Sequence, residues 1–339
     1  MSKKRIAIYC STIGACVLVV LVFVLLLKGS ATETKMAATS EKTTSSKTVL
    51  IAGVDDAGAN TDMLMLCRID QENKRVHLVQ IPRDTYYRNE KGSGKINRIY
   101  RISASKLGKK RAAEEMAKEF STAFGITIDA YVVFDTRTVA EFVDLVGGVS
   151  VNVPYEIPYF DGRTGTVLTI PAGVQILNGE KSIAYLRHRK SYAEGDLGRL
   201  DAQLRFLSGL SSVLPSLKKI DRILAIYQKI IPNLLTNLTE KDIMEVMMAY
   251  FKNHGAYSVF LSRLPGEACY TGGVWYYALY RGASEQILRD LLGSSARFDP
   301  ERRFTDDDRE ALSNIYFSPD RSYRVYTPDE VNEKKILHS

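Results

Sequence analysis

Arginine and aspartate gather in two stretches of this chain: Ile81-Pro82-Arg83-Asp84-Thr85, and the run from Arg187 through Arg189, Asp196 and Arg199 to Gln203. A guanidinium is planar, stays protonated and can pair two oxygens at once, so arginines clustered in this way are suited to holding phosphate. Pro82 fixes the backbone angle just ahead of Arg83 and so aims that side chain. Arg187 and Arg189 are two residues apart, and on an extended chain they share one face and form a clamp. Asp196, Arg199 and Gln203 are spaced i, i+3 and i+7, which places them on one face of a helix. Asp196 reads either as that helix's N-cap, or as the group that orients Arg189 or Arg199 or takes a proton from an incoming hydroxyl. Spacing does not choose between these roles, and the general base stays unassigned. A helix N-terminus at this point adds positive potential beside a phosphate.

Two further carboxylates, Asp55 and Asp62, stand at opposite ends of one short loop that holds Gly58 and Asn60. If the strands on either side pair, both carboxylates converge at one sheet edge. Two hard oxygen ligands suit Mg²⁺, which keeps several waters and takes further oxygens from phosphate. Loop solvation or turn capping accounts for the same two residues, and spacing leaves both readings open. Lys95 and Asn97 read as phosphate contacts or as ordinary loop polarity. His188, between two arginines, points away from them on an extended chain and is read as structural.

The elements that must position these residues follow from periodicity. Thr48–Val54 and Met63–Ile69 have the apolar content of strands, and Arg75–Gln80 reads as a third with alternation. Ala104–Phe124 has a helical pattern. Tyr131–Phe134 and Val149–Val153 read as strands flanking a helix over Val139–Val146, which Gly147-Gly148 stops. Asn178 is placed to cap a helix running to Leu186. A helix over Leu197–Leu214 carries Leu200, Leu204, Leu207 and Leu214 as an apolar stripe, separate from its polar face. Ile220–Leu235, Lys241–Phe251 and Ala283–Leu292 read as further helices, and Val259–Leu261 as a last strand. Met244, Met247 and Met248 read as core, or as the adaptable wall of a pocket for a flexible chain. Strands interspersed with helices predict an α/β fold with a central mixed sheet. Residues 296–339 are charged and poor in aliphatic clusters, and read as a C-terminal tail or a loosely packed appendage.

The chain has 339 residues, 45% of them hydrophobic, which is ample for one sizeable domain. Its net charge of +7 fits an anionic membrane or substrate. No basic helix with interleaved aromatics and no zinc-ligand spacing is present, so nucleic acid is not an expected partner. Ile6–Leu27 is almost continuously apolar and long enough to cross a bilayer core of about 30 Å. Lys3, Lys4 and Arg5 precede it and only Lys28 follows closely, so residues 1–5 are expected in the cytoplasm and the rest outside. The run exceeds the apolar core of a signal peptide, about 7–15 residues, and Gly29-Ser30-Ala31 is a poor cleavage site. It therefore reads as an uncleaved single-pass anchor in the cell membrane. Residues 28–47 read as a flexible tether. Cys10 and Cys16 lie in the apolar run, leaving Cys67 and Cys269. Cys67 sits in the apolar run Met63–Cys67 and reads as a small buried side chain; one disulfide with Cys269 also fits the count, and a disulfide framework does not. A phosphate site outside a membrane points to a lipid-linked phosphate or pyrophosphate.

Taken in order, several motifs resemble the LytR-CpsA-Psr family of cell-wall glycopolymer transferases. They are Gly53-Val54-Asp55, Thr61-Asp62-Met63-Leu64-Met65-Leu66, Ile81-Pro82-Arg83-Asp84-Thr85, Lys95-Ile96-Asn97 with Tyr100, Ile128-Asp129-x-Tyr131, Asp144-x-x-Gly147-Gly148-Val149, Leu177-Asn178-Gly179, and Arg187-x-Arg189 through Gln203. The resemblance covers about Thr48 to Leu214 and extends weakly to Leu292. It implies an α-β-α sandwich over about 48–295, with a long apolar pocket for a polyprenyl chain. It also implies a phosphotransferase that moves a glycopolymer, such as a teichoic acid or capsular polysaccharide, from a polyprenyl pyrophosphate carrier onto peptidoglycan through a phosphodiester. Carried over residue by residue, it implies that Asp55 and Asp62 hold Mg²⁺, with Mn²⁺ as an alternative. Arg83, Asp196 and Arg199 become catalytic, and Arg187, Arg189, Gln203, Lys95 and Asn97 contact substrate. Two positions depart from the family pattern: Asn60 and Ala202 stand where arginine is usual. Hydrolysis of the pyrophosphate by water, and a non-catalytic envelope regulator or lipid binder, are the competing functions.

Overall fold

The computed structural model describes residues 46–333 except 56–59, 71, 162–163, 194, 214–219, 242–256, 294–295 and 305–322. Side chains at 220, 222 and 223 also fall outside the description. The expected membrane segment at 6–27, nearly all of the tether, Leu214, and the methionines at 244, 247 and 248 lie outside the described residues.

The centre is a mixed sheet. Strand β1 (Lys47–Val54) pairs antiparallel with β2 (Thr61–Asp70), and β2 with β3 (Arg75–Ile81). After a hairpin of β4 (Tyr86–Asn89) and β5 (Gly92–Lys95), β6 (Ala130–Asp135) lies parallel to β1. After two outlying pairs, β7 (Val149–Val153) with β10 (Gly173–Leu177) and β8 (Ile157–Asp161) with β9 (Thr166–Ile170), β12 (Ser258–Arg263) lies parallel to β3. Two short strands, β11 (Leu235–Thr236) and β15 (Val325–Tyr326), complete the order β11-β6-β1-β2-β3-β12-β15. The central strands are covered on both faces, which is why they read as apolar runs and not as clean alternation.

On one face, Val49, Ile51, Met65, Leu78, Val132 and Phe134 pack with helices α3 (Thr136–Val146), α4 (Gly179–Arg187), α5 (Asp196–Val213) and α6 (Ile220–Ile230). On the other, Leu50, Ala52, Leu66, Val79 and Val133 pack with α1 (Arg98–Leu107), α2 (Lys109–Phe124) and α7 (Arg281–Leu292). The expected Asn178 cap is present, and the structure adds a second at Asp135. Asp135 Oδ1 accepts from Thr138 N at 2.9 Å to open α3, and Asn178 Oδ1 accepts from Lys181 N at 2.9 Å to open α4. Cys67 and Cys269 are both free and buried.

Four expectations are corrected. The helical pattern before Phe124 is two helices, because Gly108 takes φ +80° and turns the chain between α1 and α2. The helix expected over Ile220–Leu235 stops at Ile230, and the chain turns through a 3₁₀ segment, Ile231–Asn233, that contains Pro232. Helix α5 has no solvated polar face. It is buried on every side from Gly198 to Leu210, so Arg199 and Gln203 lie as deep as its leucines. The stretch read as a charged tail is also structural. Phe298 meets Phe124 edge-on and Phe304 stacks against it, with ring centroids at 5.3 and 5.0 Å, in the core beneath α2. Beyond residue 322, β15 joins the central sheet, and helix α8 (Pro328–Glu333) buries Val331. A few aromatic anchors hold this region down, which aliphatic clustering could not reveal.

Candidate active site

The site forms where β1, β2 and β3 end on the same side of the sheet. β1 and β2 pair as expected, with a register shift at Gly53/Val54 and Val54 opposite Thr61, so Asp55 and Asp62 meet at that edge. Asp55 is 5% exposed and Asp62 fully buried. Asp55 N donates to Asn60 O at 3.1 Å, and Asn60 N returns a bond to Asp55 Oδ2 at 3.2 Å, which closes the visible ends of the loop.

The turn after β3 is pinned from several directions. Pro82 O accepts from both Thr85 N (3.0 Å) and Thr85 Oγ1 (2.6 Å). Arg83 O accepts from Asn97 N at 3.3 Å, and Asp84 O accepts from Tyr277 N at 2.9 Å. Asn97 O in turn accepts from Thr61 N (3.3 Å) and Thr61 Oγ1 (3.2 Å). Asn97 thus ties the Arg83 turn to the start of β2 through its backbone. Arg83 is aimed by this network as well as by Pro82.

The side chains then form one connected ionic group. Arg83 pairs with Asp62, with Asp84 Oδ1 at 3.5 Å and with Asp196 Oδ1 at 3.6 Å. Lys95 Nζ holds the other oxygen of Asp84 at 2.8 Å. Asp196 Oδ1 also takes Arg199 Nη2 at 2.6 Å and Arg189 Nε at 3.4 Å. Three guanidiniums from three segments therefore meet at one carboxylate. Asp196 is the first residue of α5, so the N-cap reading is corrected: the chain enters the helix at Gly195, and the carboxylate turns back onto Arg199.

Burial and charge set the protonation of this group. Burial alone would raise the Asp196 carboxyl, but Arg199, Arg83, Arg189 and Lys95 outweigh it and hold it below the usual carboxylate range. Asp62 is pushed the other way. Its burial is the largest cause, Arg83 and Arg199 only partly offset it, and the Asp55 charge adds to the rise. Burial lowers the Arg199 guanidinium to about 9, with Asp196 resisting and Arg83 and Arg189 reinforcing the fall. Arg199 still carries its charge at neutral pH.

Several buried polar atoms here have no hydrogen-bond partner: Asp62 Oδ2, Arg199 Nε and Nη1, and Gln203 Nε2. Such orphans cost on the order of 1–3 kcal/mol each, so they belong where a ligand completes them. The unpartnered Asp62 oxygen beside Asp55 fits a hard divalent cation that takes the rest of its shell from phosphate and water. Among the described residues no group of three or more His, Cys, Asp or Glu could hold a metal ion without such help.

The remaining expected residues are placed differently from the extended-clamp picture. Arg187 is the last residue of α4, and the chain turns extended only at His188 (φ −66°, ψ 141°). His188 Nε2 accepts from Ser191 N at 2.9 Å and shapes the turn toward α5, in keeping with a structural role. Gln203 Oε1 accepts from Gln80 Nε2 at 2.9 Å. Gln80 also accepts from Arg263 Nε at 2.9 Å, and Arg263 Nη2 reaches Asp201 Oδ1 at 2.5 Å. This buried relay fastens α5 to β3 and β12, and the sequence reading missed it. Its signals were a glutamine inside a strand of otherwise apolar spacing and an arginine at a strand end. Ala202 lies in the apolar core, so no charge reaches the site from there.

A mixed sheet covered on both faces, with three arginines converging beside two buried carboxylates at a strand edge, defines an α/β protein whose site has the donor set that suits phosphate. The chain belongs to the LytR_cpsA_psr family, whose model matches residues 25–292. It is 27% identical to the polyisoprenyl-teichoic acid–peptidoglycan teichoic acid transferase TagU of Bacillus licheniformis, over 73% of this chain and 77% of that protein. The crystal structure of Bacillus subtilis TagV matches with a TM-score of 0.60 at 25% identity, covering 74% of this chain and 98% of that one. A structure of TagT bound to LIIa-WTA matches with a TM-score of 0.55 at 23% identity, covering 73% and 89%, and shows the shared fold.

Proposed function

We propose that this protein transfers a glycopolymer from a polyprenyl pyrophosphate carrier to a hydroxyl of peptidoglycan, leaving a phosphodiester. The observation that carries this reading is the convergence of Arg83, Arg189 and Arg199 on Asp196, with Arg199 donors and an Asp62 oxygen unpartnered beside it. Family membership and the activity named for TagU support it.

In the proposed reaction the acceptor hydroxyl attacks the sugar-linked phosphorus. The bond to the bridging oxygen breaks, polyprenyl phosphate leaves, and the hydroxyl proton passes to solvent or to the leaving phosphate. Negative charge grows on bridging and non-bridging oxygens, so positioned cations lower the barrier. Arg83 and Arg199 supply that charge from fixed positions, and Arg189 joins from the more exposed side. Asp196 sets the spacing of the three guanidiniums. Held below the usual carboxylate range, it is a weak base and is read as a positioning residue. Lys95 acts through Asp84 on Arg83. Arg187, Gln203 and the Asn97 side chain would be further substrate contacts. Asp55 and Asp62 would hold Mg²⁺, or Mn²⁺ in its place, which supplies charge to the pyrophosphate oxygens. The carrier requires a membrane surface, and Ile6–Leu27 would anchor the domain there as a single-pass protein of the cell membrane facing outward.

The test uses the full-length protein in detergent with Mg²⁺ and a polyprenyl-pyrophosphate glycan. Arg83→Ala is expected to lose cleavage by about two to three orders of magnitude, the usual cost of removing one transition-state donor. Cleavage at the unsubstituted rate in Arg83→Ala would sink the site assignment.

A further inference from the structure

The β13 (Gly266–Thr271) and β14 (Val274–Leu279) hairpin plays no part in the chemistry derived above, yet it is joined to the Arg83 turn. Tyr277 N donates to Asp84 O, and Tyr277 bridges Thr85. Tyr276 packs edge-on against Tyr86 with centroids at 5.2 Å, and Lys95 Nζ lies 5.9 Å from the Tyr276 ring. The turn is a two-residue Gly272-Gly273 loop at φ +56° and +78°, the conformation that matches the twist of paired strands.

At the far end of the hairpin, Tyr270 and Trp275 are opposite each other in register. Their rings lie 5.1 Å apart, 57% and 62% exposed. Two large aromatic rings held side by side in water are unusual without a partner, because each could otherwise bury apolar area. From Tyr277 to Trp275 is two strand residues, about 7 Å. The aromatic pair therefore stands on the same strand that is bonded to the Arg83 turn.

Charge narrows the occupant. Gly266–Leu279 contains no lysine or arginine and one acid, Glu267. A phosphate-rich polymer or an anionic lipid surface is drawn to cations, which this hairpin lacks. Uncharged acetamido-sugar rings, with axial C–H groups on an apolar face, suit a neutral aromatic surface. We propose that Tyr270 and Trp275 form the platform on which sugar rings of the acceptor glycan strand stack, so that a hydroxyl is delivered to the Arg83 site. The proposal rests on the transferase reading for the identity of the acceptor.

Trp275 is the sole tryptophan of the chain, so intrinsic fluorescence reports the platform directly. The full-length protein in detergent is titrated with chitohexaose, a soluble acetamido-sugar strand. A saturable emission change is expected. Tyr270→Ala weakens it about tenfold, and Tyr270→Phe, which keeps the ring, retains it. The same change is expected in Arg83→Ala, so a failed transferase reading and a failed platform are distinguishable. No saturable change with chitohexaose would overturn the proposal. So would a change seen only with phosphatidylglycerol vesicles or with lipid-free teichoic polymer, or unaltered binding in Tyr270→Ala.

Discussion

At the scale of single residues, the account depends on how charge is divided between two aspartates. Asp196 is surrounded by cations and held ionised, whereas Asp62 is buried beside another acid and pushed up. They should respond differently to removal of their charge. Asp196→Asn leaves Arg83, Arg189 and Arg199 repelling one another without their shared anion, and turnover is expected to fall about a hundredfold with divalent-cation binding intact. Asp62→Asn removes the unpartnered oxygen. Mn²⁺ binding, followed by electron paramagnetic resonance of the purified protein, should weaken by at least about tenfold, and unchanged binding would remove Asp62 from the metal site. These side chains were legible in the sequence because arginine and aspartate clusters are rare and chemically specific. The Gln80–Arg263–Asp201 relay was not legible, since its members are scattered along the chain and meet only when α5 packs across β3 and β12.

At the scale of elements, strands and caps followed from local pattern, and the misreadings came from tertiary contacts. The β1–β2 pairing, the Asn178 cap and the Gly147 stop are fixed by neighbours close in sequence. The β13–β14 hairpin was missed although Thr-Gly-Gly-Val between aromatic runs is a turn signal. Helix α5 was misjudged because its polar residues are buried in the ionic group around Asp196 and in the relay, and hydropathy cannot anticipate that. Its close packing gives a prediction: a Cβ at Gly209 would collide with the carbonyl oxygen of Ser150 on β7 (Val149–Val153). Gly209→Ala should therefore lower the thermal midpoint, whereas a solvent-facing glycine in a helix would gain from the same change. The stretch read as a tail gives another. Phe298 is 1% exposed among Phe124 and Phe304, so Phe298→Ala should cost about 3–5 kcal/mol in denaturant unfolding. A loss below about 1 kcal/mol would restore the tail reading.

At the scale of the whole molecule, both faces of the sheet must be closed for the strand edge to stay fixed, and the C-terminal segment helps close them. Stability should also report pH. Burial lowers the His77 ring, and Arg75 and Arg68 reinforce this against Asp70, so the folded protein binds that proton less readily than the unfolded chain. As pH falls below about 6.5 the unfolded state takes up the proton first, and stability is lost. The thermal midpoint of the unsubstituted protein should therefore drop relative to His77→Gln between pH 7.5 and 5.5, and a constant difference would count against this assignment. The most direct test of the central claim is phosphorus NMR of peptidoglycan recovered after incubation with the full-length protein, Mg²⁺ and a polyprenyl-pyrophosphate-linked glycopolymer. A new phosphodiester signal, bound to the peptidoglycan and absent with Arg83→Ala, is the predicted result. Phosphomonoester glycan free in solution with none on the peptidoglycan would contradict the transferase and leave a hydrolase.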